Sequence, residues 1–123
     1  MAETTKHLKE RERKLEMYFV NKVHNVLKGE ALKLQVIGRR GWMDRLVLLP
    51  HGVVHLVELK IFSPGSQLSV MQKLRRKRCM ELGQQVFVLW SKNEIRKWVT
   101  AAQNHIDKNR MIREQFYGPD YQG

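Results

Sequence analysis

The sequence predicts a single α/β domain in which a helix, three strands, a second helix and a fourth strand are followed by further helical sequence. Three observations lead there. Residues 7–28 carry apolar side chains at helical spacing. Residues 31–60 hold short apolar or alternating runs broken by glycine and proline, and residues 68–103 return to a helix, a strand and a helix. At 123 residues the chain has room for one domain with a real core and no need of disulfides.

Within residues 7–28, Leu8, Leu15, Phe19, Val23 and Val26 share a stripe when wound at about 100° per residue. Glu12 lies at the centre of that stripe and Glu16 one turn on. A carboxylate there is costly unless paired, protonated or bound to metal; alternatively the helix frays at its start and Glu12 meets solvent or an arginine. Gly29 is expected to end the helix in the left-handed conformation.

Residues 31–37 alternate, with Leu32, Leu34 and Val36 set against Lys33 and Gln35, as in a half-buried strand. Gly38-Arg39-Arg40-Gly41 is a flexible turn, either a solvated connector or a contact for a phosphate backbone. Strands at 44–49 and 53–60, joined through Pro50-His51-Gly52, pair as an antiparallel hairpin. That pairing brings Asp44 to the same end of the sheet as Glu58 and Lys60. Glu58 and Lys60 share a face with Val54 and Leu56, while Val53, Val57 and Leu59 make the other face apolar too. A strand apolar on both faces is central and covered, so charges at its end sit in a partly buried cleft. The plain alternative is a Glu58–Lys60 ion pair on a sheet rim.

Residues 62–67, with Pro64-Gly65-Ser66, form a loop. The helix over 68–82 ends at Gly83 and turns Leu68, Met71, Cys79 and Leu82 inward, with Gln72 beside Cys79 and the Arg75 stem over apolar surface. Lys73, Arg76 and Lys77 project outward; a solvated face is the default reading, and a nucleic-acid track requires continuity with Arg39 and Arg40. Residues 85–90 form an apolar strand that joins the sheet beside 53–60. Ser91 and Glu94 fit a capping box for a helix with Ile95, Trp98 and Val99 inward, Trp98 being a core or interface anchor. Past residue 103, Ile106, Met111, Ile112, Phe116 and Tyr117 punctuate a polar tail suited to a further helix packed on the body or on a second subunit. Residues 118–123 are expected to be disordered.

Lysine and arginine total 23 against 12 acids, a formal charge of +11, which in so small a domain points to a polyanionic partner, most often nucleic acid. Cys79 is the sole cysteine, so neither a disulfide framework nor a Cys/His zinc cluster is expected, and a reducing cytoplasm suits the chain. Residues 1–13 are polar and no apolar run reaches the roughly 18 residues of a membrane span, so neither a signal peptide nor an anchor is expected.

An acid on one strand, an acid and a lysine two apart on the next, and a helical carboxylate meet the needs of metal-assisted phosphodiester hydrolysis. Hard divalent ions prefer carboxylate oxygens, which Asp44 and Glu58 supply, with the main-chain carbonyl of Leu59 as a further donor. Lys60 suits the orientation or deprotonation of a water and the offset of charge on the phosphorane.

Gly41-Trp42-Met43-Asp44-Arg45, Val57-Glu58-Leu59-Lys60 and Leu68-Ser69-Val70-Met71-Gln72 resemble, in order and approximate spacing, the VRR-NUC family, the virus-type replication-repair nucleases of the PD-(D/E)xK superfamily. The likeness runs from about residue 12 to residue 90. It implies a restriction-endonuclease-like α-β-β-β-α-β core over about residues 8–99, with extra C-terminal helices in a tail over about 100–117. It also implies hydrolysis of DNA phosphodiesters with Mg²⁺ or Mn²⁺. Carried over by position, Asp44, Glu58 and Lys60 form the catalytic core, Gln72 is the helix glutamine, and Glu12 is the helical acid, with Glu16 as the alternative. Arg39, Arg40, Arg45, Lys73, Arg76 and Lys77 are the candidate DNA contacts. Met43 stands where the family usually has proline, which fixes a backbone angle but supplies no ligand.

Stand-alone domains of the family from phages and bacteria look like dimeric resolvases of four-way junctions. The resemblance therefore implies a structure-specific endonuclease of DNA replication or repair, a homodimeric Holliday junction resolvase in a bacterial or phage-infected cytoplasm. A flap, nick or general DNA endonuclease is the neighbouring alternative. A non-catalytic nucleic-acid-binding module is the more distant one.

Overall fold

The computed structural model describes residues 4–122. Helix α1 (Thr5–Asn21) begins where the Thr4 side chain accepts from the His7 N–H, and runs into a π-helical turn at Lys22–Val26. Strands β1 (Glu30–Lys33), β2 (Arg45–Leu49) and β3 (Val53–Leu59) follow, then α2 (Val70–Glu81), β4 (Gln85–Leu89) and α3 (Lys92–Tyr117). The four strands lie in sequence order, the first three antiparallel and β4 parallel to β3. This is the α/β core expected, and α2 supplies the crossover that a parallel pair requires.

One face of the sheet carries the main core. Val47 and Leu49 of β2 and Val53 and Val57 of β3 meet Leu15, Phe19 and Val23 of the first helix, and Ile95, Trp98, Ala102 and Ile106 of α3. The π turn alters the stripe expected on the first helix. Leu15, Phe19, Val23 and Leu27 recur every four residues, a spacing that drifts around an α-helix turning every 3.6. The wider turn, closed by Leu27 N–H donating to the Lys22 carbonyl, returns Leu27 to the core, whereas Val26 is 47% exposed.

Gly29 is not the left-handed residue. Lys28 takes φ 60°, and an added Cβ on Gly29 would lie 2.4 Å from the Leu48 carbonyl oxygen. Close approach of β2 demands the glycine here, so the reversal falls on its neighbour.

On the opposite face, α2 covers only part of the sheet. Cys79 is buried, but Met71 and Leu82, both expected inward, are exposed, and Val54 near the start of β3 is open to solvent as well. Polar contacts replace the missing apolar ones: Arg75 lies 5.3 Å over the Trp42 ring and donates to the Arg40 carbonyl. The tail is no separate element. No glycine or proline interrupts residues 92–117, so α3 continues through them as one helix.

Residues 118–122 are placed against the body rather than disordered; Gly123 and residues 1–3 lie outside the described residues. The Tyr121 hydroxyl meets Nδ1 of His51 at 3.2 Å and accepts from Arg113. Asn109 donates to the His51 carbonyl, so the β2–β3 turn and the C-terminus are held together.

Candidate active site

Antiparallel register places Arg45 opposite Val57, and therefore Asp44, one residue before β2, beside Glu58 on β3. The Asp44 main-chain N–H donates to Glu58 Oε2 at 2.9 Å. The other carboxylate oxygen, Oε1, accepts from Gln72 Nε2 at 3.0 Å and lies 3.9 Å from Lys60 Nζ. Gln72 is aimed by its place in α2. It is the third helical residue after the Ser69 cap, and its Oε1 accepts from the Ser69 N–H while the Ser69 hydroxyl accepts from the Gln72 N–H. The capping box thus leaves the amide NH₂ pointing at Glu58.

A cleft of about 330 Å³ opens at this end of the sheet, lined by Glu12 and Glu16 of α1, Asp44, Leu59, Lys60, Ile61 and others. Glu58 and Gln72 stand behind its wall, linked to it through Asp44 and Lys60. Glu12 is exposed at the mouth. Glu16 is held at 2.8 Å by the Arg45 guanidinium, which also donates to the Ala31 carbonyl. Arg45 is therefore buried beneath α1 instead of on the surface where a DNA contact belongs, because its position in β2 alternates onto the core face with Val47 and Leu49. Arg39, Arg40, Lys73 and Lys77 are exposed, and Arg76 is half-buried with an orphaned Nε.

Two carboxyl groups at one buried point disfavour ionisation. Burial, then the charge of Asp44, pushes the Glu58 carboxyl up to about 7. Burial also raises Asp44, against the pull of Arg45 and the Leu59 N–H. Asp44 Oδ1 is buried with no hydrogen-bond partner among the described residues. An orphaned carboxylate oxygen beside a second acid is what a cation would satisfy, and the donors are all oxygens: Asp44, Glu58 and the Leu59 carbonyl. No group of three His, Cys, Asp or Glu side chains among the described residues is placed to hold a metal.

A second polar set, which the sequence reading does not single out, lies in the core. His55, on the core face between Val53 and Val57, is buried; its Nδ1 accepts from Trp98 Nε1 at 3.1 Å, and Nε2 lies 2.9 Å from Nδ1 of His105. Because indole can only donate, the neutral ring carries its proton on Nε2 and donates to His105. A histidine at an inward position of an otherwise apolar strand face was the available signal. This set ties β3 to α3 and supports the core.

The chain has relatives of known class. The chain is 40% identical over 83 residues to "Putative nuclease p44" of Acyrthosiphon pisum secondary endosymbiont phage 1, covering 68% of this chain and 86% of that protein. A solved structure described as a VRR_NUC domain superposes with a TM-score of 0.67 at 30% identity, covering 73% of this chain and 95% of that one. No family profile matches. The chain belongs to the VRR-NUC family of nucleases.

Proposed function

We propose that this chain is a divalent-metal-dependent, structure-specific DNA endonuclease that resolves four-way junctions as a homodimer. The observation that carries the reading is a pair of neighbouring acids, buried Glu58 and half-buried Asp44, with the Asp44 N–H donating to Glu58 at 2.9 Å beside Lys60 in a domain of charge +11. Asp44, Glu58 and the Leu59 carbonyl would hold Mg²⁺ or Mn²⁺. When bound, such an ion polarises the scissile phosphate and lowers the pKa of a water.

The rest falls to the chain's own side chains. Lys60 faces the cleft, where its ammonium offsets charge on the phosphorane and orients the attacking water. Gln72 fixes the rotamer of Glu58, so that one carboxylate oxygen keeps its direction. Glu12, across the cleft from Asp44 and Lys60, is the helical acid free to meet water or substrate; Glu16 is committed to Arg45. Arg39, Arg40, Lys73, Arg76 and Lys77 would carry the flanking phosphates. Met111, Ile112 and Phe116 are exposed on the last turns of α3 and offer an apolar surface to a second copy.

The test is cleavage of a labelled four-way junction with Mg²⁺ or Mn²⁺, run beside a flap, a nicked duplex and an intact duplex, with a solution mass measurement. Wild type is expected to cut the junction preferentially as a dimer, and Glu58→Ala or Lys60→Ala to lose cleavage by at least about a thousandfold. Failure to cut any DNA, or variants as active as wild type, would falsify the nuclease reading. Preference for the flap or nick would move the substrate assignment.

A further inference from the structure

Strands β3 and β4 leave the sheet side by side at the end that carries the acids. The Lys60 N–H donates to the Leu89 carbonyl, and two residues further along one chain and one along the other stand Phe62 and Trp90. Their rings are stacked, with centroids 5.0 Å apart and planes inclined by 26°. Phe62 is nevertheless 62% exposed, so the stack covers one side of its ring and leaves the rest to water.

The loop that carries it is tied down. Ser66 Oγ donates to the Ile61 carbonyl at 2.9 Å, and the Ser66 N–H donates to the Ser63 carbonyl. Ile61, Ser63 and Ser66, on either side of Phe62 in sequence, line the acidic cleft. A large apolar ring held in the open on an anchored loop serves neither the core nor solubility.

We infer that the Phe62–Trp90 pair is a stacking platform for an unpaired or splayed nucleobase next to the cleaved phosphate; this rests on the nuclease reading above. Two residues of extended chain put Phe62 about 7 Å from Lys60, roughly two base steps of about 3.4 Å each. Aromatic rings beside cationic groups are the means by which proteins hold single-stranded nucleic acid, since every base offers a π-face. Lys60 supplies the cationic group beside the platform, its main chain paired with Leu89 next to Trp90. An intact duplex keeps its bases stacked on one another and presents no free face. The platform thus favours DNA with a branch point, gap or frayed end.

The test is binding without catalysis. Fluorescence anisotropy in EDTA compares a labelled oligo-dT strand, a forked duplex with unpaired arms and a blunt duplex, across a salt series. Wild type is expected to prefer the first two. Phe62→Leu, which keeps the apolar bulk and removes the ring, loses about tenfold on those two and less than twofold on the blunt duplex. The salt slope is unchanged, because stacking releases no counterions. Phe62→Trp keeps the preference.

Equal loss on all three ligands, no loss, or a change in solution mass with Phe62→Leu overturns the platform, the last pointing to a protein interface. The two readings separate cleanly. A protein that stacks bases but cuts nothing with Mg²⁺ refutes the nuclease alone, and one that cuts junctions with unaltered preference as Phe62→Leu refutes the platform alone.

Discussion

Replacing Glu58 by glutamine will stabilise the metal-free protein at neutral and alkaline pH while removing its activity. Glu58 is 6% exposed and its pKa is pushed up to about 7 from an ordinary 4.5, first by burial and then by Asp44. Between those values the folded chain keeps a proton that the unfolded chain has released. Stability therefore falls as pH rises through the window and levels off above it. The shift corresponds to about 3 kcal/mol.

Glutamine carries no charge, but both Glu58 oxygens accept hydrogen bonds, from Asp44 N–H and Gln72, and one will face the new NH₂; that mismatch costs about 1 kcal/mol. The net gain near pH 8 is about 2 kcal/mol, or about 8 °C in Tm for a chain of this length. At pH 4.5 the variant gains nothing. Thermal unfolding in EDTA from pH 4.5 to 8.5, read as variant minus wild type, isolates this effect from every group the two proteins share. A difference that does not change with pH refutes the argument that Glu58 is held protonated by its surroundings.

His55 behaves in the opposite sense. Burial, then His105, lowers its pKa from 6.5 to about 4, so the folded chain binds fewer protons and loses stability as pH falls through that range. In Glu58→Gln, where the compensating carboxyl is gone, the urea midpoint should drop steadily from pH 6.5 to 4; a level midpoint argues against a neutral buried ring. Gly29→Ala drives a Cβ to 2.4 Å from the Leu48 carbonyl, a backbone atom that cannot swing aside, and should cost at least about 2 kcal/mol by urea unfolding. A loss under about 0.5 kcal/mol means that β2 can retreat. Gln72→Ala removes both a helix cap and the support of Glu58, so the Mg²⁺ needed for half-maximal cleavage should rise about 10- to 100-fold with the fold intact. An unshifted Mg²⁺ dependence leaves Gln72 a cap only.

The local rules in the sequence were enough to determine the hairpin, the fourth strand and the start of the last helix, but the strand expected over 31–37 is Glu30–Lys33. Apolar runs marked β2 and β3, Pro50-His51-Gly52 closed their turn, and Ser91 with Glu94 predicted the start of α3, whereas the helix expected from residue 68 begins after a Ser69 cap. Because pairing register follows from a short turn, the approach of Asp44 to Glu58 was legible as well, and Lys60 with it.

What depended on distant contacts was not. Whether a side chain is buried depends on which element lies above it: Arg45 sits under α1 rather than at the surface, and Met71 and Leu82 stay exposed because α2 overlaps only part of the sheet. The direction of Gln72 toward Glu58, the tether that withdraws Glu16 but leaves Glu12 open, and the His55–Trp98 bond each join residues remote in sequence. The π turn and Lys28 show the same cause working backwards. There the close approach of β2 at Gly29 and the core position of Leu27 set the conformation of a segment whose own residues favour a plain helix ending in glycine. Periodicity records which side of an element is apolar, but only packing decides how much of that side is covered and what meets it.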